Sequence, residues 1–104
     1  MIEVLDSIER WRAEGQRIAV ATVVAVEQSA PRDPGAVMTV NERGDVAGSV
    51  SGGCVESAVY DEAQDAIATG RPRLVTYGIS DADAISVGLT CGGTIHVFVE
   101  RLDW

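Results

Sequence analysis

Two stretches of the chain repeat apolar residues at helical spacing. In residues 2–14 the repeating positions are Ile2, Leu5, Ile8 and Trp11, and Gly15 follows where a helix commonly ends. In residues 54–69 the apolar face comprises Val55, Ala58, Val59, Ala63, Ala66 and Ile67. Glu56, Asp61 and Asp65 are expected to face away from it. Gly70 and Pro72 come next, so the pattern predicts two helices, each ended by a glycine.

Five other stretches have the short, β-branched character of strands: residues 17–27, 36–40, 45–50, 73–78 and 94–100. The first is apolar at nearly every position from Ile18 to Val26, which indicates a central strand with both faces covered. "NERG" separates the second strand from the third and predicts a hairpin with Gly44 in its turn. In the last strand Ile95, Val97 and Val99 alternate with more polar positions.

These elements predict an α+β domain with a mixed sheet of about five strands and two helices. The 104 residues correspond to one domain, residues 1–104. Segments 27–35 and 79–93 read as loops, because prolines, glycines and small polar residues are concentrated there. Two helices leave part of such a sheet uncovered, so we expect a homodimer.

Charge and composition narrow the class of protein. The chain has 8 basic residues, all arginine, against 16 acidic residues, for a net charge of −8. This balance argues against nucleic acid or an anionic membrane as a partner. The N-terminus lacks the basic head and apolar run of a signal peptide, and the apolar run at Ile18–Val26 is too short to span a bilayer. We therefore expect a soluble, cytoplasmic protein.

Both cysteines of the chain lie beside glycine pairs. Gly52 and Gly53 precede Cys54, and Gly92 and Gly93 follow Cys91. Cys54 is predicted at a helix start, where free N–H groups and the helix dipole favour a thiolate and bind anions. Ser49 and Ser51 are candidate hydroxyl donors there. The alternatives are that both cysteines are small buried residues beside tight turns, or that Cys54 is a redox or nucleophilic thiol.

Three further positions are weaker candidates. Arg32 lies between two prolines, and a rigid loop there would present it to an anion, although a plain surface arginine fits equally well. His96 is the only histidine and is expected to be structural or exposed. Residues 80–84, "SDADA", lack the ligand spacing of a calcium loop. No metal site is predicted from these residues.

Three motifs in order, "ATVVAVEQSAPRDPGAVMTV", "GSVSGGCVES" and "VGLTCGGTIHVFVE", resemble the N-terminal domain of the XdhC/CoxI family. The resemblance runs from about Ile18 to Glu100. Val37 departs from the pattern, because many relatives have a basic residue there. Longer members carry a second, Rossmann-like domain, and we expect its role to be absent here or supplied by a separate polypeptide.

The resemblance implies an accessory protein rather than an enzyme. Family members bind molybdenum cofactor (molybdopterin) as cargo and assist its sulfuration or its insertion into a molybdenum hydroxylase of the xanthine dehydrogenase or carbon monoxide dehydrogenase type. The implied partners are that apo-enzyme and, for the sulfuration step, a cysteine desulfurase. The resemblance assigns the cofactor-binding role to Ser29, Arg32, Gly52, Gly53, Cys54, Cys91, Gly92 and Gly93. This assignment requires the two cysteine loops to meet at one cavity.

Overall fold

The computed structural model of the protein describes residues 2–27, 35–50, 55–78 and 94–102. Its elements, in chain order, are α1 (Ile2–Ala13), β1 (Ile18–Glu27), β2 (Val37–Asn41), β3 (Val46–Gly48), α2 (Glu56–Thr69), β4 (Arg73–Gly78) and β5 (Thr94–Arg101). The predicted α+β class, with two helices and five strands, is confirmed. The third strand is shorter than the predicted 45–50. Neither described helix is long and apolar enough to cross a membrane.

The five strands form one sheet in the order β3-β2-β1-β5-β4. The apolar strand β1 is central, as predicted. Every described pairing is antiparallel, so the expectation of a mixed sheet is wrong. The reason is the position of β5: it lies between β1 and β4, which run in the same direction, and pairs antiparallel with both. α2 carries the chain from the β3 edge to the β4 edge.

The larger part of the core lies between the sheet and α2. From the helix it contains Val59, Ala63, Ala66 and Ile67, and from the sheet mainly Ala19, Ala21, Val23, Met38, Val40, Ile95, Val97 and Val99. The predicted alternation in β5 is therefore confirmed. Ala58, which the helical pattern placed on this face, is exposed instead. Gly70 ends α2 in the left-handed conformation at φ 72°, and its N–H donates to the Ala66 carbonyl at 2.8 Å.

The opposite side of the sheet is covered by α1 over part of its width. A second cluster joins Val4, Ile8 and Trp11 of the helix to Ile18, Val20 and Val37 of β1 and β2. On this side of β4, Leu74 is 62% exposed and lies opposite the half-buried Phe98. Val24 of β1 is 50% exposed. An apolar strip at β4, β5 and β1 is thus accessible to solvent.

Short turns join the elements at one end of the sheet, which we call the turn end: Gly15–Arg17, Asn41–Asp45 and Gly70–Arg73. Asn41 is fully buried there. Its Oδ1 accepts hydrogen bonds from the N–H groups of Arg43 and Asp45, each at 3.0 Å. Its Nδ2 donates to Asp45 at 3.0 Å, and its carbonyl accepts from the Gln64 side chain at 3.0 Å. This network holds the predicted hairpin turn, in which Gly44 takes φ 97°.

Candidate functional site

The other end of the sheet, the loop end, is where the chain makes its remaining connections. Thr94 at the start of β5 pairs with Glu27 at the end of β1 and with Gly78 at the end of β4. Met38, near the start of β2, pairs with Gly48 at the end of β3. Connections 28–34, 51–54 and 79–93 therefore have their attachment points at this end.

All eight residues that the sequence predicts for the site fall in these connections and lie outside the described residues: Ser29, Arg32, Gly52, Gly53, Cys54, Cys91, Gly92 and Gly93. What is described is the attachment of each connection to the sheet. The convergence of the two cysteines stays a prediction. The antiparallel sheet is compatible with this prediction, because the described residues that flank connections 28–34 and 79–93 lie at one end, and so does the end of β3 before connection 51–54.

Backbone contacts fix the chain where it leaves β3. Gly48 has φ 81°, and a Cβ built on it would lie 2.2 Å from the Val37 carbonyl oxygen and 2.6 Å from Val4 Cγ1. Both the positive φ and the lack of space therefore exclude a side chain at this position. The next N–H, of Ser49, donates to the Val37 carbonyl at 3.1 Å, and Val50 is fully buried in the α2-side core. The chain thus enters segment 51–54 from a well-anchored point.

Glu56 ties this point to the first turn of α2. Its Oε2 accepts a hydrogen bond from the Ser49 hydroxyl at 2.6 Å and another from the Val50 N–H at 3.0 Å. Helical periodicity predicts that Glu56 lies on the polar side of α2, but it does not reveal that the preceding chain passes beside this residue and leaves it half-buried. The predicted donor Ser49 has its hydroxyl hydrogen directed to this carboxylate.

The sequence contains only a general signal for this role of Glu56. An acidic residue in the first turn of a helix complements the positive end of the helix dipole. The partners of Glu56 lie six and seven residues earlier in the chain, beyond the N-cap residue that a capping box would use. An anion approaching the start of α2 therefore meets a carboxylate, and the helix terminus alone is a poorer anion site than predicted.

A β-bulge lies close to where β1 reaches the loop end. The register with β5 shifts between Val23 and Ala25, so Val24 has no partner opposite it. As a consequence, Val23 and Val26 both pack on the α2 side although they are three residues apart. The uniformly apolar sequence "VVAV" contains no signal for this shift. The bulge therefore determines which side of the sheet each residue from Ala25 to Glu27 occupies.

Tyr77 places a phenol on the α2 side of the loop end, next to Ile95 in the strand register. Its hydroxyl oxygen is buried and has no hydrogen-bond partner among the residues that the structure describes. Burial, with smaller contributions from the carboxylates of Glu62 and Asp61, raises the pKa of Tyr77 to about 12. The hydroxyl is therefore a protonated donor at neutral pH.

The arginines are distributed very unevenly. Apart from Arg32 they lie at or next to the turn end: Arg10, Arg12, Arg17, Arg43, Arg71, Arg73 and Arg101. Arg43 is paired with Glu14 at 3.1 Å, and Arg73 hydrogen-bonds Asp65 and lies 3.5 Å from Glu62. The hydrogen bond to Asp65 raises the pKa of Arg73. Arg32 is consequently the one arginine whose segment is attached to the loop end.

His96 lies on the side of the sheet facing away from α2. Its Nδ1 is 2.9 Å from the Thr76 hydroxyl on the neighbouring strand. Within the described parts of the chain, no group of three or more His, Cys, Asp or Glu side chains is arranged to hold a metal ion.

The chain belongs to the XdhC and CoxI family, whose sequence pattern matches residues 11–78 of the 104. It is similar to the molybdenum cofactor insertion chaperone PaoD of Escherichia coli K12, with 38% identity over 88 residues. It is also similar to a probable xanthine dehydrogenase subunit of Bacillus subtilis 168, with 39% identity over 92 residues. These alignments cover 85% and 86% of this chain, but only 27% and 28% of the relatives.

A solved structure confirms the fold. A crystal structure of a protein described as a xanthine dehydrogenase, from Bacillus halodurans, superposes with a TM-score of 0.81 at 36% identity. The match covers 95% of this chain and 30% of the other. The chain therefore spans less than a third of each of these relatives.

Proposed function

We propose that this protein is a non-catalytic accessory factor that binds molybdenum cofactor as cargo at the loop end of its sheet. In this proposal it assists sulfuration of the cofactor or its insertion into a molybdenum hydroxylase of the xanthine dehydrogenase or carbon monoxide dehydrogenase type. It would work in the cytoplasm, with the apo-enzyme as partner. The observation that carries the proposal is membership of a family in which a relative of 38% identity is a cofactor insertion chaperone.

The sheet topology supports the position of the site. The connections that contain Cys54, Cys91 and Arg32 are all attached to the loop end, and the proposal is that both thiols and the guanidinium contact one cargo there. Thiolates are soft ligands suited to a metal with sulfur ligands, and glycines beside them allow a ligand to approach the backbone. The buried Tyr77 hydroxyl, at the same end, is a further donor that has no partner in the described parts of the chain.

The charge distribution assigns a particular role to Arg32. An anionic cargo must overcome a net charge of −8 and the carboxylate of Glu56 at the start of α2. The arginines of the described residues lie towards the turn end, and two of them are paired with carboxylates there. Short-range contacts from Arg32 would therefore supply most of the local positive charge, since more distant charges are screened by salt.

The direct test is to mix the purified protein with cofactor released anaerobically from a molybdoenzyme and to measure how much is retained on gel filtration. Cys54→Ala, Cys91→Ala and Arg32→Ala are each expected to weaken retention about tenfold or more, the scale of one lost charge-assisted contact. Arg43→Ala is the matched control, because it removes the same charge from the turn end. It should bind as the unaltered protein does.

Three results would contradict the proposal or part of it. No retention by the unaltered protein excludes cofactor as cargo. Equal retention by both cysteine variants removes the thiols from the site. Equal loss with Arg43→Ala and Arg32→Ala shows a dependence on overall charge instead of a local contact. Fast alkylation of Cys54 without any cofactor retention would favour the alternative of a reactive thiol protein.

The remaining partners are proposals of the same kind. A cysteine desulfurase would supply sulfur for the cofactor, and a separate Rossmann-domain subunit would provide the part of longer family members that this chain does not match. Homodimerisation would use the apolar strip around Leu74, which α1 leaves uncovered. Light scattering of the purified protein, with Leu74→Asp as the disrupting variant, tests this last expectation.

A further inference from the structure

Glu56 has an unusual position for an acidic residue in an anion-binding region. A carboxylate at the start of α2 repels an anionic cargo, yet this one is half-buried and accepts two hydrogen bonds through a single oxygen. Both donors, the Ser49 hydroxyl and the Val50 N–H, belong to the chain just before segment 51–54. Glu56 itself lies just after that segment. The carboxylate thus bridges its two ends.

The described residues on each side of segment 51–54 also have their own contacts with the rest of the fold. On the entry side, Ser49 N–H is bonded to the Val37 carbonyl and Val50 is buried in the core. On the exit side, Val55 packs against the same core, and its carbonyl accepts from the Val59 N–H at 3.0 Å in the first turn of α2. Four residues, Ser51 to Cys54, join these anchors. Two of them are glycines, which have the highest backbone entropy of any residue.

We propose that Glu56 is a positioning residue: its bridge to Ser49 and Val50 holds the two ends of segment 51–54 together and so restrains the thiol of Cys54. The inference rests on the proposed function, in which that thiol contacts the cargo. Ordering a glycine pair costs more conformational entropy than ordering other residues, and a bridge between the described residues on either side of the pair offsets part of this cost. In this role the side chain of Glu56 matters because it is long enough to reach both donors and offers an oxygen acceptor, and its negative charge is not required.

Three substitutions at one position separate reach from charge. Glu56→Gln keeps the length of the side chain and one oxygen acceptor but removes the charge. Glu56→Asp keeps the charge but is one methylene shorter, so it does not reach the same donors. Glu56→Ala removes both. Asp61→Asn is the matched control, because it neutralises an exposed carboxylate on the same helix away from the bridge.

The measurement is the alkylation rate of Cys54 by iodoacetamide, resolved by peptide mass spectrometry and followed from pH 6 to pH 10 without cargo. The pH profile gives the thiol pKa and, at high pH, the limiting rate of the thiolate. Glu56→Ala and Glu56→Asp should raise the limiting rate about tenfold, since an unpaired buried Val50 N–H favours opening of the segment. Glu56→Gln and Asp61→Asn should leave it within about twofold, whatever the change in pKa.

A limiting rate that is unchanged in Glu56→Ala would overturn the proposal. So would a rate raised in Glu56→Gln but not in Glu56→Asp, because charge would then be the property that matters. Ser49→Ala removes one donor from the other side of the bridge and should give about a threefold rise. Thermal unfolding followed by circular dichroism shows whether Glu56→Ala is folded. If it is not, Ser49→Ala tests the bridge in its place.

The alkylation experiment tests the role of Glu56 without testing cofactor binding, because alkylation requires no cofactor. If the bridge restrains Cys54 but the unaltered protein retains no cofactor, only the identity of the cargo is wrong. If cofactor is retained and the Glu56 variants alkylate like the unaltered protein, only the positioning role is wrong. We expect the variants whose Cys54 is alkylated faster to retain less cofactor. Glu56→Gln should retain cofactor as the unaltered protein does, and Glu56→Ala should bind it about tenfold more weakly.

Discussion

The turn end and the loop end of the same sheet are held in different ways. At the turn end, the buried Asn41 side chain bonds across a tight hairpin turn, and surface ion pairs such as Arg43–Glu14 surround it. At the loop end, a close backbone contact at Gly48 and the Glu56 bridge anchor the chain before its connections begin. A side-chain hydrogen-bond network therefore holds the turn end, whereas a close backbone contact and a single carboxylate hold the described residues from which the loop-end connections start.

The largest effect is expected from Gly48→Ala, which adds a Cβ against the Val37 carbonyl at a positive φ. We expect it to lower the free energy of unfolding by about 3 kcal/mol or more, from backbone strain and overpacking together. Urea denaturation measures it. Gly15→Ala is the control: it also has a positive φ, 75°, but nothing lies within 4 Å, so it should cost about 1 kcal/mol. Equal losses would mean that the close contact at the loop end contributes nothing.

Asn41→Ala tests the turn end and should lower the free energy of unfolding by about 2 kcal/mol, because buried N–H groups of the turn lose their acceptor. Urea denaturation again provides the measurement. Arg43→Ala, in the same turn, removes only exposed ion pairs and should cost at most about 0.5 kcal/mol. If the two variants were equally destabilised, surface charge and not the buried amide would hold this end.

The smallest change in the free energy of unfolding is expected from Tyr77→Phe at the loop end. Unlike the two preceding substitutions, this one should increase stability. The buried hydroxyl of Tyr77 lacks a partner within ranges 2–27, 35–50, 55–78 and 94–102, so removing it should raise the free energy of unfolding by up to about 1 kcal/mol at pH 7. A loss of stability comparable to that of Asn41→Ala would show that the hydroxyl has a protein partner after all.

The same residue predicts a pH dependence. The pKa of Tyr77 rises from 10.0 to about 12 on folding, so above pH 10 the unfolded chain loses this proton while the folded protein keeps it. Stability should therefore decline as the pH rises from about 10 to about 12, and Tyr77→Phe should lack this part of the decline. Absorbance titration of Tyr60→Phe, where Tyr77 is the remaining tyrosine, gives its pKa directly. A value near 10 would contradict the burial argument.

The elements of the fold could be predicted from the sequence because their apolar positions repeat with clear periods. Alternation at Ile95, Val97 and Val99 identified β5 and its buried face, and the unbroken apolar run identified β1 as central. Pairing direction could not be predicted in this way. The sheet is antiparallel because β5 lies between β1 and β4, and strand order depends on contacts between residues far apart in the chain.

The candidate site stays a prediction from the glycine–cysteine pairs and the family motifs. The structure adds that the described residues flanking the three connections lie at one end of the sheet. Glu56 was missed because a helical pattern shows only which side of the helix a residue occupies. Its partners, Ser49 and Val50, are determined by the path of the preceding chain.

The unpartnered Val24 in β1 has a consequence for how this strand can change in length. Deleting that residue would restore simple alternation without moving any other side chain to the other face, because Ala25 would still lie opposite His96 and Val26 opposite Ile95. Losing Ala25 as well would place Val26 opposite His96, on the side of the sheet away from α2, so Val26 would leave the core. Loss of Val24 alone should therefore preserve the packing of this strand, whereas loss of two residues between Val23 and Val26 should disrupt it.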